Sequence, residues 1–329
     1  QIGQELKDKI AMFCNVDEGS VFTSPDVGSI YELPLELHRQ GLDDRIAEHL
    51  NITRTARIWS RTPRLEKWEQ IIEKVYRPSR GDVKVGLVGK YVELKESYKS
   101  LNESLVHGGI ANDCRVKVEF VDSQELESRG AEAMLGAMDA VLVPGGFGVR
   151  GTEGKIQAVR YAREKRKPFF GICLGLQMAV IEYARHVLGL AQANSLEFDE
   201  KTPDPVVTLM ESQVNVTDKG GTMRLGSYAC TLKAGTLAHR LYGADGVRER
   251  HRHRFEVNNA YRARLAEAGL VFSGVNPELD LVEVIEIADH PHFIGCQFHP
   301  EFQSKPFAPH PLFAGFIRAA LAARDTRTA

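Results

Sequence analysis

The sequence has no cysteine pattern on which a disulfide framework or a zinc ribbon could be built. Its five cysteines, Cys14, Cys114, Cys173, Cys230 and Cys296, are odd in number, widely scattered and never spaced C-x-x-C, so reduced thiols are expected. It also lacks a charge excess. Lys and Arg number 42 against 44 Asp and Glu, a net charge of −2, which gives nucleic acid no basic face to bind. Apolar stretches such as Ala140–Val143 and Phe169–Leu176 fall far short of the roughly 20 residues a membrane-spanning helix needs. No charged-then-apolar leader opens the chain. The expectation is a cytoplasmic protein with neither nucleic acid nor membrane as partner. The opening QIGQELKDKI has no initiator methionine and is already helix-like, which suggests part of a longer polypeptide.

What is present is an ordinary globular composition, 43% hydrophobic and 26% charged over 329 residues, enough for one large domain and something smaller. Residues 1–50 read as an apolar strand, IAMFCNV, then a turn-rich stretch with Gly19 and Pro25, then helices over 29–40 and 42–50. These pieces cannot make a core alone. The segment 53–80 mixes many charges with Trp68, Ile71, Ile72 and Val75, the spacing of an amphipathic helix in an interdomain connection. From Val83 onward strand-like blocks such as VKVGLVG, RVKVEFVD, DAVLVPGG and PFFGICLG alternate with helix-like blocks. That alternation predicts an α/β domain with a mostly parallel central sheet covered by helices on both faces. Later blocks, including TMRLGSYACTL, LVEVIEI and FIGCQFHP, add strands, some antiparallel, before a closing helix at 312–323. The predicted division is 1–52, a linker at 53–80, and the large domain at 81–329.

Gly171-Ile-Cys173-Leu-Gly175 stands where an apolar strand passes into a helix. In a nucleophile elbow the turn is so sharp that only glycine tolerates the crowding two residues to either side. The cysteine then lies at a helix N-terminus, where the macrodipole favours a thiolate. Far downstream, His299 and Glu301 are two apart, so an extended segment turns both toward one cleft as base and orienter. The glycine-rich exit of another strand, VLVPGGFGVRG, brings amides of Gly145 or Gly146, with Leu174, into reach of a developing oxyanion. A buried strand-end cysteine beside incidental glycines, and an exposed loop histidine, are the bland alternatives.

Two rival motifs weaken on inspection. Gly146 to Gly151 matches G-x-G-x-x-G, but the next strand ends in Gly171-Ile-Cys173 rather than in the acidic residue a dinucleotide site requires. GLVGKY has the wrong spacing for a phosphate-binding loop. In RERHRHRFEVN, His251 and His253 lack a third metal ligand at chelating spacing, and a strand would put Arg252 and Arg254 on the opposite face. An arginine in a carboxylate-binding pocket fits that pattern better.

Together, PGGFG at 144–148, G-x-C-x-G-x-Q at 171–177 and HPE at 299–301 resemble the class I, triad-type glutamine amidotransferases. GKYVELKESYKSLNESLVHGG, GTEGKIQAVRYAR, GGTMRLG and RHRHRFEVNN, with KIAMFCNV and DVGSIYELPLELHRQGLD near the start, are similar to the CTP synthase family. The resemblance implies that residues 1–52 are the end of an amidoligase (synthetase) domain. It implies that Cys173 attacks the side-chain amide of L-glutamine as nucleophile, with His299 and Glu301 completing the triad. Glutamine contacts are implied at Gly146, Leu174, Gly175, Leu176, Gln177, Glu197 and Arg254. Nucleotide contacts are implied at Lys9, Asp26 and Val27, although Pro25 stands where the family usually has a lysine. No cofactor is implied for the glutaminase step. ATP, Mg and UTP belong to the synthetase step, held mainly by sequence outside this chain; GTP is the family's activator, with Arg224 a contributor; and the complete enzyme is expected to be a homotetramer. Another triad amidotransferase, a γ-glutamyl hydrolase, or an idle interaction module are the alternatives.

Overall fold

The computed structural model describes residues 2–52, 65–90, 95–209 and 223–328. The chain divides into two compact units, Gln1–Ser79 and Arg80–Ala329. In the first, α1 spans Gln4–Cys14, α2 Leu33–Arg39, α3 Leu42–His49 and α4 Glu66–Tyr76. The strand expected at IAMFCNV is therefore corrected to the second half of a helix. Lys9, Ala11 and Met12 are good helix formers, and Gln4–Asp8 and Glu5–Lys9 pair one turn apart at 2.7 and 2.8 Å. Asn15 ends the helix in the left-handed region, with φ 53°. The helices expected at 29–40 and 42–50 form, and the amphipathic helix of 53–80 forms over α4, with Ile71 buried and Trp68 against Tyr31. Residues 53–64 of that segment lie outside the described residues.

The second unit is built on a nine-stranded sheet among the described residues. In chain order its elements are β1 Asp82–Gly89, α5 Lys99–Asn112, β2 Arg115–Asp122, α6 Ser123–Arg129, α7 Ala131–Leu135, β3 Ala140–Val143, α8 Thr152–Glu164, β4 Phe169–Ile172 and α9 Leu174–His186. Then come β5 Asn194–Ser195, β6 Pro205–Leu209, β7 Arg224–Leu232, α10 Leu237–Tyr242, β8 Gly246–His253, β9 Phe255–Val257, α11 Arg262–Glu267, β10 Leu270–Val275, β11 Val282–Ile287, β12 Phe293–Cys296 and α12 Pro311–Thr328. The sheet order is β2-β1-β3-β4-β12-β11-β10-β7-β8. From β2 to β12 the strands are parallel; from β12 to β8 they are antiparallel.

Strand β4 shows why its sequence is an unbroken apolar run. Phe169 stacks on Phe293 at 4.5 Å in the core under one face, while Phe170 meets Phe313 and Phe316 in the core under the other. Neighbouring residues point to opposite faces and both faces are covered, so no position can be polar. Helix α9 is buried along Leu174–Ala184, the all-round burial of a helix inside the fold. A small second sheet, β5-β6-β9, stands beside the main one.

Candidate active site

The strand order supplies the site. β3, β4 and β12 are adjacent and parallel, so their carboxyl ends open at one edge, where doubly wound sheets bind ligands. From those ends leave the glycine loop after Val143, Cys173 after Ile172, and His299 with Glu301 after Cys296.

Cys173 sits at φ 52°, ψ −102°, a strained conformation for a residue with a side chain. It is held there: its N–H donates to the Cys296 carbonyl at 2.7 Å, and its own carbonyl accepts from Leu176 and Gln177 at 3.1 and 3.2 Å. The flanking glycines have a steric cause. A Cβ on Gly171 would stand 2.7 Å from the Gly175 carbonyl carbon, and one on Gly175 only 2.1 Å from the Val143 carbonyl oxygen. The amide of Leu174 lies in the first turn of α9, where N–H groups have no intrahelical acceptor and remain available to an anion.

His299 Nδ1 and Glu301 Oε1 are 2.6 Å apart, which directs Nε2 away from the carboxylate. Among the described residues Nε2 is buried with no partner at normal hydrogen-bond distance, and Cys173 is close enough to act on the ring. A Cβ on Gly145 would fall 2.7 Å from His299 Cε1 and 3.6 Å from Cys173 Cβ, so that glycine lies between the two reacting side chains and lets them converge. Burial disfavours the imidazolium, but Cys173 and Glu301 outweigh it and push the His299 pKa up to about 10. The groups that favour the imidazolium are thus Cys173 on one side of the ring and Glu301 on the other. Phe302 stacks on the ring at 5.2 Å.

A cleft of about 770 Å³ opens over these groups, lined by Gly145, Gly146, Cys173, Gln177, Glu197 and Arg254 together with His299 and Glu301. Gln177 turns its amide to the Phe255 carbonyl at 3.0 Å and to Gln297 Oε1 at 3.3 Å. Leu174, Gly175 and Leu176 are the buried start of α9. Glu197, just past β5, accepts the Gly148 amide at 2.7 Å, and Lys90 Nζ donates to the Phe147 carbonyl. One peptide unit of the glycine loop is thus held at both ends.

Sequence reasoning missed Gln297, which donates to Cys173 Sγ at 3.8 Å and accepts from Gln177. It missed Lys90 as well. Neither carries a local signal, because their partners are far away in the chain. Lys9, Asp26 and Val27 belong to the other unit, Lys9 on α1 paired with Glu5 and Asp26 exposed outside any helix or strand.

Three expectations change or gain a cause. Arg224 is buried and serves Glu256 at 3.1 Å and Glu283 at 2.7 Å, with its guanidinium 4.5 Å over Tyr228. Both terminal nitrogens are committed to carboxylates, so it is not presented to a surface nucleotide; Gly220–Thr222 before it lie outside the described residues. His251 and His253 face inward and hydrogen-bond each other at 2.8 Å, while Arg250 and Arg252 face out, the alternation of a strand. Gly151 owes its residue type to packing: φ is 70° and a Cβ would meet Ser123 Oγ at 2.1 Å.

Residues 93–319 match the family model described as glutamine amidotransferase class-I. The chain belongs to that family. Residues 1–52 match the model of the CTP synthase N-terminus. A CTP synthase of Geobacter metallireducens is 58% identical over 324 residues, 98% of this chain and 59% of the relative. One of Pelobacter propionicus is 57% identical over 99% of this chain and 60% of its own length. The chain thus spans about three fifths of these curated relatives. Among solved structures, the glutaminase domain of Trypanosoma brucei CTPS with bound acivicin is 38% identical, with a TM-score of 0.69, over 73% of this chain and 94% of that one. The amidotransferase fold is thereby established. Among the described residues no helix is long and apolar enough to cross a membrane.

Proposed function

We propose that this chain is the glutaminase part of a CTP synthase, and that Cys173, His299 and Glu301 hydrolyse L-glutamine to glutamate and ammonia. The carrying observation is the triad at the shared strand edge: Cys173 at the strained elbow, His299 raised to about 10 by Cys173 and Glu301, and the 2.6 Å bond to Glu301. The Cys173 sulfur adds to the amide carbon of glutamine. The oxyanion takes hydrogen bonds from the Leu174 amide and the Gly145–Gly146 loop. His299 gives its proton to the departing nitrogen, so a thioester and ammonia form. It then removes a proton from water, which attacks the thioester, releases glutamate and restores the thiol. Arg254 takes the α-carboxylate of the substrate. Gly146, Gly175, Leu176, Gln177 and Glu197 complete the glutamine site in the same cleft.

In the longer protein the ammonia aminates UTP that ATP has activated, with GTP as activator and a homotetramer as the assembly. The match of residues 1–52 to the CTP synthase N-terminus and the printed names of the relatives support this reading. Residues 1–52 are then the end of the synthetase domain, 53–80 the linker and 81–329 the amidotransferase domain, with Lys9, Asp26 and Val27 toward the nucleotides. Among the described residues no three His, Cys, Asp or Glu side chains converge as metal ligands. The resemblance to CTP synthases assigns Mg²⁺ and ATP mainly to the portion outside this chain, and no step here passes through them. The same matches disfavour a γ-glutamyl hydrolase. Ammonia and glutamate release from glutamine, measured for this chain and for Cys173→Ala with and without GTP, tests the proposal: turnover lost in the variant supports it, and equal turnover in both refutes the thiol mechanism.

A further inference from the structure

The turn that carries Glu301 is held on one side by helix α5, whose Ser104 Oγ donates to the Glu301 carbonyl at 3.4 Å, and on the other by strand β8. The His299 amide donates to the Arg250 carbonyl of β8 at 2.8 Å. The side-chain amide of Gln303 donates to the Arg248 carbonyl at 3.2 Å and to the Glu249 carboxylate at 2.5 Å. The Gln303 backbone amide closes the turn on the Pro300 carbonyl at 3.1 Å. Strand β8 leads directly into Arg254, so it joins the catalytic turn to the far wall of the cleft.

Glu249 makes this arrangement informative. It is 2% exposed. Its other partners are the Tyr242 hydroxyl at 2.6 Å and His310 Nε2 at 2.9 Å. His310 Nδ1 accepts the Leu312 amide at 3.3 Å, which leaves Nε2 to donate to Glu249. Among the described residues the side-chain groups that meet this carboxylate are the Tyr242 hydroxyl, His310 Nε2 and the Gln303 amide. Burying a carboxylate is costly unless donors meet its oxygens, and Gln303 is one of those donors. The pairing fixes Gln303. The neighbouring residue is fixed too: Ser304 Oγ meets His107 Nδ1 at 2.9 Å and accepts the His310 amide at 3.2 Å.

We propose that Gln303 is a positioning residue: gripped by Glu249, its side-chain amide locks the catalytic turn onto β8 and sets His299 and Glu301 against Cys173 and Arg254. This deepens the thiol-glutaminase reading and rests on it. Gln303 touches neither substrate nor the reacting atoms; it acts through the turn.

The test is the pH profile of Cys173 alkylation by iodoacetamide, followed by peptide mass mapping, with the exposed Cys14 as reference in the same molecule. Gln303→Met keeps the volume and removes both donors. Its Cys173 should alkylate about tenfold more slowly at pH 7 relative to Cys14, the effect of losing one hydrogen bond to a charged group, with a displaced pH profile. The double variant Glu249→Gln with Gln303→Glu exchanges donor and acceptor across the pair but leaves the Arg248 carbonyl without its donor, so it should recover part of the rate. A Gln303→Met profile superimposable on wild type overturns the proposal. If Gln303→Met does not fold, the exchange variant is compared with Gln303→Glu alone, which sets a second carboxylate against Glu249: an exchange variant that alkylates faster than that single variant supports the lock, and one equally slow overturns it. A wild-type Cys173 no more reactive than Cys14 would overturn the thiol reading, and the positioning role with it.

Discussion

Replacing Gly175 by alanine should force β3 and the start of α9 apart. The new Cβ would lie 2.1 Å from the Val143 carbonyl oxygen, 3.0 Å from its carbonyl carbon and 3.2 Å from its Cβ. Two of those three atoms are backbone in the middle of a sheet, so no rotamer change relieves the clash. Overpacking of this kind costs about 1–3 kcal/mol, and contact with backbone puts it at the upper end. Alanine returns up to ~1 kcal/mol of helix propensity over glycine. The net loss is then roughly 2 kcal/mol, or about 4–8 °C in melting temperature for a domain of this size. The shift also moves Cys173 against Gly145 and His299, and a displacement of about 1 Å at reacting atoms costs roughly 100-fold in rate. Differential scanning calorimetry and ammonia release read both effects. Gly246→Ala is the control, since its Cβ would meet only the Cys230 carbonyl oxygen at 3.7 Å. If Gly175→Ala melts and turns over like that control, the steric account of the G-x-C-x-G frame is wrong.

Two further outcomes follow from the same geometry. Glu197→Ala removes the acceptor of the Gly148 amide and loosens the glycine loop; losing a charge-assisted bond of about 1.5–3 kcal/mol should lower kcat/KM for glutamine by roughly 10–100-fold, while Glu197→Gln, which keeps an acceptor oxygen, should lose less. His292 is buried and its pKa is lowered to about 3 by burial first, then by His290 and Arg318. The unfolded state therefore takes up a proton near pH 6.5 that the folded state refuses until about pH 3. Stability is full above the unfolded value and falls by about 1.4 kcal/mol per pH unit as the solution is acidified through that window. Urea midpoints between pH 7 and pH 4 should show a limb one proton shallower in His292→Asn, and an unchanged slope would contradict the assignment.

The chemistry of the site was written in short sequence frames because its constraints are local. A sharp elbow needs Gly171 and Gly175 within two residues of Cys173, and a histidine needs its carboxylate within reach, which an i, i+2 spacing at Glu301 supplies. The covered parallel sheet was legible for a similar reason: Phe169 and Phe170 are both apolar, and only a strand buried on both faces tolerates that. The second half of α1 was misread as a strand because a short apolar run does not distinguish the two conformations; side-chain pairs one turn apart and a left-handed Asn15 decide it.

What only the tertiary structure decided is which distant residues meet. The order β3-β4-β12 places Cys173 beside His299, and no local property of either segment encodes that adjacency. The same holds for Gln297 at the thiol, for Lys90 and Glu197 on one peptide of the glycine loop, and for Arg224 between two buried carboxylates. The sequence by itself determined the reactive group and the backbone shape that presents it. Sheet pairing determined its neighbours, because strands far apart in the chain become adjacent only when both faces of the sheet are buried at once.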